Sequence, residues 1–219
     1  MEFSNGNTKP FDKERSLALI FCNNYAGTSM DLKEGPLNDG LLAYERFAFY
    51  GYKPFIYHDL KKKEFKQVLK SFLSARAKKL VIYFTGHGTQ KFDWGGDEDD
   101  HRDEAFVLMD GNFVDDDMKK YLDKYNNAKQ LTLISDCCHS GTIFDLPKDS
   151  PILTISACQD KECAMQTRIE HKTNGCFSYY FWKYMNESRD SRVIQPKINV
   201  KLAKYKHSCV FNHDCEHIL

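Results

Sequence analysis

Two short stretches hold the side chains best suited to covalent chemistry. Leu131 to Gly141 reads LTLISDCCHSG, an apolar run that ends in an aspartate, two cysteines and a histidine. Leu80 to Gly88 reads LVIYFTGHG, a second apolar run that ends in a histidine between two glycines. A cysteine with a nearby histidine is the minimal apparatus for acyl transfer, because the imidazole takes the thiol proton and the thiolate is the nucleophile. Alternate residues of an extended chain face the same way. Thr85 therefore shares a side with His87, and Asp136 with Cys138, while Cys137 points the other way. On that count Cys138 is the chemical thiol, His87 its base, and Cys137 a small hydrophobe. Gly86 and Gly88 let backbone approach a substrate closely. The amide groups of Gly88 and Cys138 are placed to donate to an oxyanion.

These residues need a scaffold, and the apolar pattern supplies one. Leu17–Phe21 (LALIF), Leu80–Phe84 and Leu131–Ile134 are short continuous apolar runs, as expected for strands buried on both faces. Lys53–Tyr57 and Ile152–Ile155 read as further strands, and Ala105–Met109 is another apolar run. Apolar residues recur at helical spacing from Leu37 to Tyr50. Phe65, Val68, Leu69, Phe72 and Leu73 form one face of an amphipathic helix. Asp115, Asp116 and Asp117 ahead of Met118, Tyr121 and Leu122 mark a helix start, since carboxylates match the dipole there. Cys176–Met185 reads as a helix, and the tail from Gln195 is predicted to hold one more strand. Strands alternating with helices predict a three-layer α/β fold with a mostly parallel central sheet. Ligands of such sheets bind beyond the carboxyl ends of the strands, which is where both reactive stretches fall.

Composition narrows the function classes. The chain has 219 residues, 42% of them hydrophobic, enough for one substantial core. Lys+Arg and Asp+Glu both number 31, so no bulk field favours nucleic acid or an anionic membrane. No run approaches the roughly 18 apolar residues of a membrane span, and the polar start MEFSNGNTKPFDKER carries no apolar signal segment. Residues 1–15 read as a flexible leader and 16–219 as a single domain. The eight cysteines sit largely in apolar runs, among them Cys22, Cys158 and Cys176, which predicts reduced thiols and a cytoplasmic protein.

Taken in order, TGHG, DEDDHRDE, VDDD, SDCCHSG, DLP and ISACQD resemble a metacaspase, a caspase-fold cysteine peptidase, over about Ser16 to Met185. The resemblance implies a large-subunit-like part, 16–147, and a small-subunit-like part, 148–219. It also implies a Cys138 nucleophile with His87 as base, in agreement with the alternation argument. By pattern alone Asp39 is an N-cap of the first helix. The resemblance instead places Asp39, Thr85 and Asp136 in the primary specificity pocket, with Thr85 where the family commonly has serine. Two carboxylates there favour Arg or Lys and repel Asp. Asp160, in SACQD, falls where the family shapes its substrate groove.

The resemblance further implies activation by Ca²⁺ held by Asp103, Asp115, Asp116 and Asp145. The acidic stretch Asp93 to Glu104 is not an EF-hand loop, because its sixth residue is Glu98 rather than Gly. The segment Asp110 to Asp115 is shorter than the family pattern. The DLP at Asp145–Pro147 runs almost directly into SPILTISACQD, so a single chain without obligatory processing is expected, Lys148 being the self-cleavage point if one exists, and the resemblance implies a monomer. Two other readings stand beside this one. One is a catalytically silent caspase-fold binding module. The other is a Cys/His transferase or amidase, which the acidic pocket disfavours. The tail HSCVFNHDCEH (His207 to His217) has zinc-ligand residue types, but its spacing matches no common finger and a ragged last strand explains it better.

Overall fold

A computed structural model describes residues 15–92, 102–144, 146–147 and 149–219, the side chains at 91, 92, 102 and 103 excepted. The strands are β1 (Ser16–Cys22), β2 (Lys53–His58), β3 (Lys79–Thr85), β4 (Gly88–Phe92), β5 (Arg102–Leu108), β6 (Gly111–Val114), β7 (Gln130–Asp136), β8 (Leu153–Ser156), β9 (Gln166–Ile169), β10 (Lys172–Gly175) and β11 (Val210–Phe211). The helices are α1 (Gly35–Phe49), α2 (Lys62–Leu73), α3 (Asp115–Tyr125), α4 (Cys176–Met185) and α5 (Ser191–Leu202).

Six strands form the central sheet in the order β11-β8-β7-β3-β1-β2. All neighbours are parallel except β11, which runs antiparallel to β8. Side chains of each strand divide by alternation between two cores. Ala18, Ile20, Val81, Tyr83 and Ile134 pack with α1, α4 and α5, through Phe47, Phe181, Trp182 and Ile198. Leu17, Leu19, Phe21, Leu80, Ile82 and Leu133 pack with α2 and α3, through Phe65, Leu69, Phe72 and Met118. Burying each of these side chains contributes about 1.5–3 kcal/mol. The expected three-layer α/β arrangement is the one observed. No helix among the described residues is long and apolar enough to cross a membrane.

Two small sheets flank the strand ends: the antiparallel β4-β5-β6 sheet and the β9-β10 hairpin. The tail differs from the sequence expectation. Gln195 lies inside α5, whose Ile194, Ile198 and Leu202 are fully buried, and the last strand is only Val210–Phe211. Pro196 removes one intrahelical donor from α5. The apolar stripe at i, i+4, i+8 outweighs that loss.

Candidate active site

The ladder sets the frame. Cys22 pairs with Thr85, and Thr85 with Asp136, so three strands end in register. Beyond that edge lies a cavity of about 120 Å³ lined by Asp39, Thr85, Gly86, His87, Asp136, Cys138, Ala164, Met165, Gln166 and Gly175, with Leu32 and Pro36. The residues singled out at 39, 85, 87, 136 and 138 thus line one hollow. Cys137 faces away and is 1% exposed in the core on the α2–α3 side.

Each glycine of the GHG turn has a steric reason. Gly86 has φ +156°, and a Cβ there would stand 2.8 Å from the Tyr25 hydroxyl. A Cβ on Gly88 would collide with the carbonyl of Cys138. Tyr25, fully buried at the end of β1, fixes the turn. Its hydroxyl accepts from His87 N at 2.8 Å and donates to the Val107 carbonyl at 2.8 Å. Its ring packs on the imidazole, centroids 4.9 Å apart. Sequence reading missed Tyr25, although FCNNY ends a buried strand just as the two reactive stretches do.

The imidazole Nε2 of His87 lies 2.9 Å from the Met30 carbonyl. A carbonyl only accepts, so Nε2 carries the hydrogen and Nδ1 is the basic nitrogen of the neutral ring. The half-buried Cys138 thiol contacts the Ala164 carbonyl at 3.7 Å. Burial first, and then the adjacent Cys163 thiol, push Cys138 up to about 12. The resting sulfur is therefore protonated, and a base has to remove that proton before attack.

Asp39 and Asp136 are the buried charges of the cavity. Asp39 is the fifth residue of α1, not its N-cap, which is Glu34. Its Oδ2 accepts from Gly175 N at 2.7 Å, and its buried Oδ1 has no partner. Asp136 Oδ2 accepts from Ser178 N at 3.1 Å and from the Ser178 hydroxyl at 2.5 Å, and that hydroxyl is 2.5 Å from the Tyr83 hydroxyl. Ser178 is in the first turn of α4, whose N-cap is Gly175, so the helix dipole faces Asp136. Burial raises both carboxylates. Asp39 is pushed further, by desolvation and then by the charge of Asp136. The helix terminus steadies an anion at Asp136, which leaves Asp39 as the group that holds a proton when the cavity lacks a cation. Gly175 is required here as well, because a Cβ would collide with Asp136 Oδ2.

Other predicted residues fall elsewhere. Asp160 does not line the cavity. Its Oδ1 accepts from Thr142 N at 2.7 Å, and its carbonyl is 2.5 Å from His139 Nδ1, so it organises the loop after Cys138. Of the four expected calcium ligands, Asp145 and the Asp103 side chain lie outside the described residues. Asp115 is buried, with Oδ2 accepting from Glu104 N at 2.8 Å and Oδ1 from Asp116 N at 2.7 Å. Asp116 turns outward to Lys120 at 2.8 Å. Among the described residues no group of three His, Cys, Asp or Glu side chains is gathered to hold a metal. This includes the tail, where His207 bonds the Ala157 carbonyl and Cys209 is buried.

The order and pairing of these elements define a caspase-like α/β fold. A Geobacter sulfurreducens protein of known structure superposes with TM-score 0.71 at 19% identity, covering 90% of this chain and 92% of that one. Caspase-1 from Spodoptera frugiperda superposes with TM-score 0.68 at 15% identity, covering 93% and 94%. At the level of family, the caspase domain matches residues 15–213, and the chain belongs to that family. It is similar to Metacaspase-3 of Arabidopsis thaliana, 40% identical over 73 residues, and to Metacaspase-1 of Pyricularia oryzae, 45% identical over 73 residues. Those stretches span 31% of this chain and only 20% and 18% of the relatives' lengths.

Proposed function

We propose that this chain is a cysteine endopeptidase that cleaves after Arg or Lys, with Cys138 as nucleophile and His87 as base. The observation that carries the reading is the cavity in which a thiol and an imidazole share walls with two buried carboxylates, one having an unpartnered oxygen. A guanidinium or ammonium entering the hollow meets Asp39 Oδ1 and Asp136 and replaces the proton that burial otherwise imposes. Seating that side chain holds the following peptide carbonyl over Cys138. His87 Nδ1 takes the thiol proton, the sulfur attacks the carbonyl carbon, and the amides of Gly88 and Cys138 donate to the oxyanion. The imidazolium then protonates the departing amine. Water attacks the thioester with His87 again as base, releasing the acid and restoring the thiol. Thr85, buried between Cys22 and Asp136 in the ladder, walls the pocket and adds a hydroxyl to it.

The reading extends to a single chain that acts as a monomer in the cytoplasm. Its eight free cysteines suit a reducing compartment, and the two-residue β11 gives a poor edge for pairing with a second copy. Activity depends on Ca²⁺, which Asp103, Asp115, Asp116 and Asp145 would hold away from the thiol and imidazole. The test is hydrolysis of short peptide reporters ending in Arg, Lys or Asp, with Ca²⁺ or chelator, by wild type and Cys138→Ala. Arg and Lys reporters are expected to be cut by wild type alone. Cleavage after Asp and not after Arg or Lys refutes the specificity. A Ca²⁺ dependence unchanged in Asp116→Ala refutes the ligand set.

A further inference from the structure

The chain carries eight thiols, all free, and only Cys163 is exposed. It lies on the rim of the catalytic cavity, immediately before Ala164 and Met165, which line the hollow. The Cys138 sulfur is 3.7 Å from the Ala164 carbonyl, one residue beyond Cys163, and the Cys163 thiol is close enough to help push the Cys138 thiol up. The rim segment is fixed from both sides. His139 N donates to the Glu162 carbonyl at 3.2 Å, and the Glu162 carboxylate accepts from Gln159 N at 3.0 Å and Ser208 N at 2.9 Å. The remaining nearby thiols are differently placed. Cys137 is buried in the opposite core, and Cys158 is buried with its sulfur on the carbonyls of Cys137 and Glu162 at 3.3 and 3.4 Å. One thiol at the site is therefore open to solvent, and it stands one residue before the carbonyl that the Cys138 sulfur contacts.

We propose that Cys138 and Cys163 form a reversible disulfide under hydroperoxide, which switches the peptidase off. This rests on Cys138 being the nucleophile. The accessible Cys163 sulfur, as thiolate, attacks a peroxide oxygen; the O–O bond breaks, hydroxide leaves as water, and a sulfenic acid forms. The Cys138 sulfur then attacks the Cys163 sulfur and gives up its proton, and the hydroxyl of the sulfenic acid departs as a second water. Two thiols and one hydrogen peroxide become one disulfide and two waters. A dithiol reverses the step by thiol–disulfide exchange and is itself oxidised. While the bond stands, the nucleophile is capped. Because Cys163 intercepts the oxidant, Cys138 is also kept from irreversible sulfinic acid.

Trypsin makes the test direct. The tryptic peptide Glu162–Arg168 contains Cys163 alone, Gln130–Lys148 contains Cys137 and Cys138, and Asp149–Lys161 contains Cys158. The full chain is treated with graded hydrogen peroxide, its remaining thiols are blocked, and it is digested without reduction for mass spectrometry. The expected product is Glu162–Arg168 linked to Gln130–Lys148, with fragment ions placing the bond on Cys138. The same treatment is expected to lower the rate on the Arg reporter by at least about tenfold, with dithiothreitol restoring it. Cys163→Ser is expected to yield no linked peptide, and dithiothreitol is expected not to return any activity that peroxide removes from it. Cys158→Ala is expected to keep the linked peptide. The absence of the 138–163 link in wild type, a link to Cys137 or Cys158 instead, or inactivation of Cys163→Ser as reversible as that of wild type overturns the proposal. The peptide map needs no turnover. A linked peptide in a chain without peptidase activity therefore sinks only the protease reading, and an active chain without the link sinks only the switch.

Discussion

Replacing Asp39 by Asn sets stability against activity at one buried atom group. Asp39 is 2% exposed, keeps one hydrogen bond from Gly175 N, leaves Oδ1 without a partner, and faces Asp136. Asn is close to an isostere of the protonated acid. Its carbonyl can still accept from Gly175, and its NH₂ can donate toward Asp136. An unsatisfied buried oxygen costs about 1–3 kcal/mol, so a stabilisation of about 1–2 kcal/mol is expected at neutral pH. For a chain of this size that corresponds to a rise in Tm of roughly 2–8 °C. The sign of the pH dependence follows from burial, which raises both carboxylates above their unfolded values. Between the unfolded and folded pKa the native state binds more protons than the unfolded state, so wild-type stability falls as pH rises through that window. The gain from Asp39→Asn should therefore be small near pH 4 and grow toward pH 8. Activity goes the other way, because a cationic substrate side chain loses one of its two counter-charges in a desolvated site. The loss of about 3–4 kcal/mol expected for breaking such a pair is a fall of about 10²–10³ in kcat/KM on Arg reporters. Thermal melts from pH 4 to 8 and initial rates on the same samples check both halves. A variant that melts lower than wild type at pH 8, or cleaves Arg reporters at the wild-type rate, refutes the reasoning.

Other positions give equally definite expectations. Cys137→Ala is expected to keep activity and cost about 1–2 kcal/mol in chemical denaturation through lost packing, whereas Cys138→Ala is expected to abolish turnover and leave stability nearly unchanged. Tyr25→Phe removes the hydroxyl that joins His87 N to the Val107 carbonyl; a loss of about 1–3 kcal/mol in urea unfolding and a lower kcat with little change in KM are expected. Gly88→Ala drives a methyl into the Cys138 carbonyl, so kcat on Arg reporters should fall at least about tenfold even where the protein stays folded. Iodoacetamide should label the exposed Cys163 first. Labelling of Cys138, pushed up to about 12, should still be rising at pH 10.

Much of this site can be read along the chain, because strand alternation is local. LTLISDCCHSG already separates Cys138 from Cys137, and the two apolar runs place His87 and Cys138 at neighbouring strand ends. What escapes such reading depends on residues far apart in sequence. Gly175 and Asp39 are 136 positions apart, and Ser178 and Asp136 are 42 apart. The β9-β10 hairpin that delivers Gly175 is largely polar and only partly buried, so it gives no hydrophobic period to detect. Asp39 resembles a helix cap in sequence because its true neighbour is a distant backbone amide. Pro196 suggests that a helix is broken where three buried aliphatic residues in fact hold it together. The exposed Cys163 has no signal of its own. Only the packing of the rim against Cys138, whose sulfur meets the Ala164 carbonyl, brings the two residues near each other.

The most direct measurement of the central claim is covalent labelling with peptidyl chloromethyl ketones that end in Arg or in Asp, followed by peptide mapping. A single adduct on Cys138 is predicted with the Arg reagent, blocked in Cys138→Ser and much slower in His87→Ala, with no adduct from the Asp reagent. An adduct on another cysteine, or labelling by the Asp reagent alone, contradicts the account.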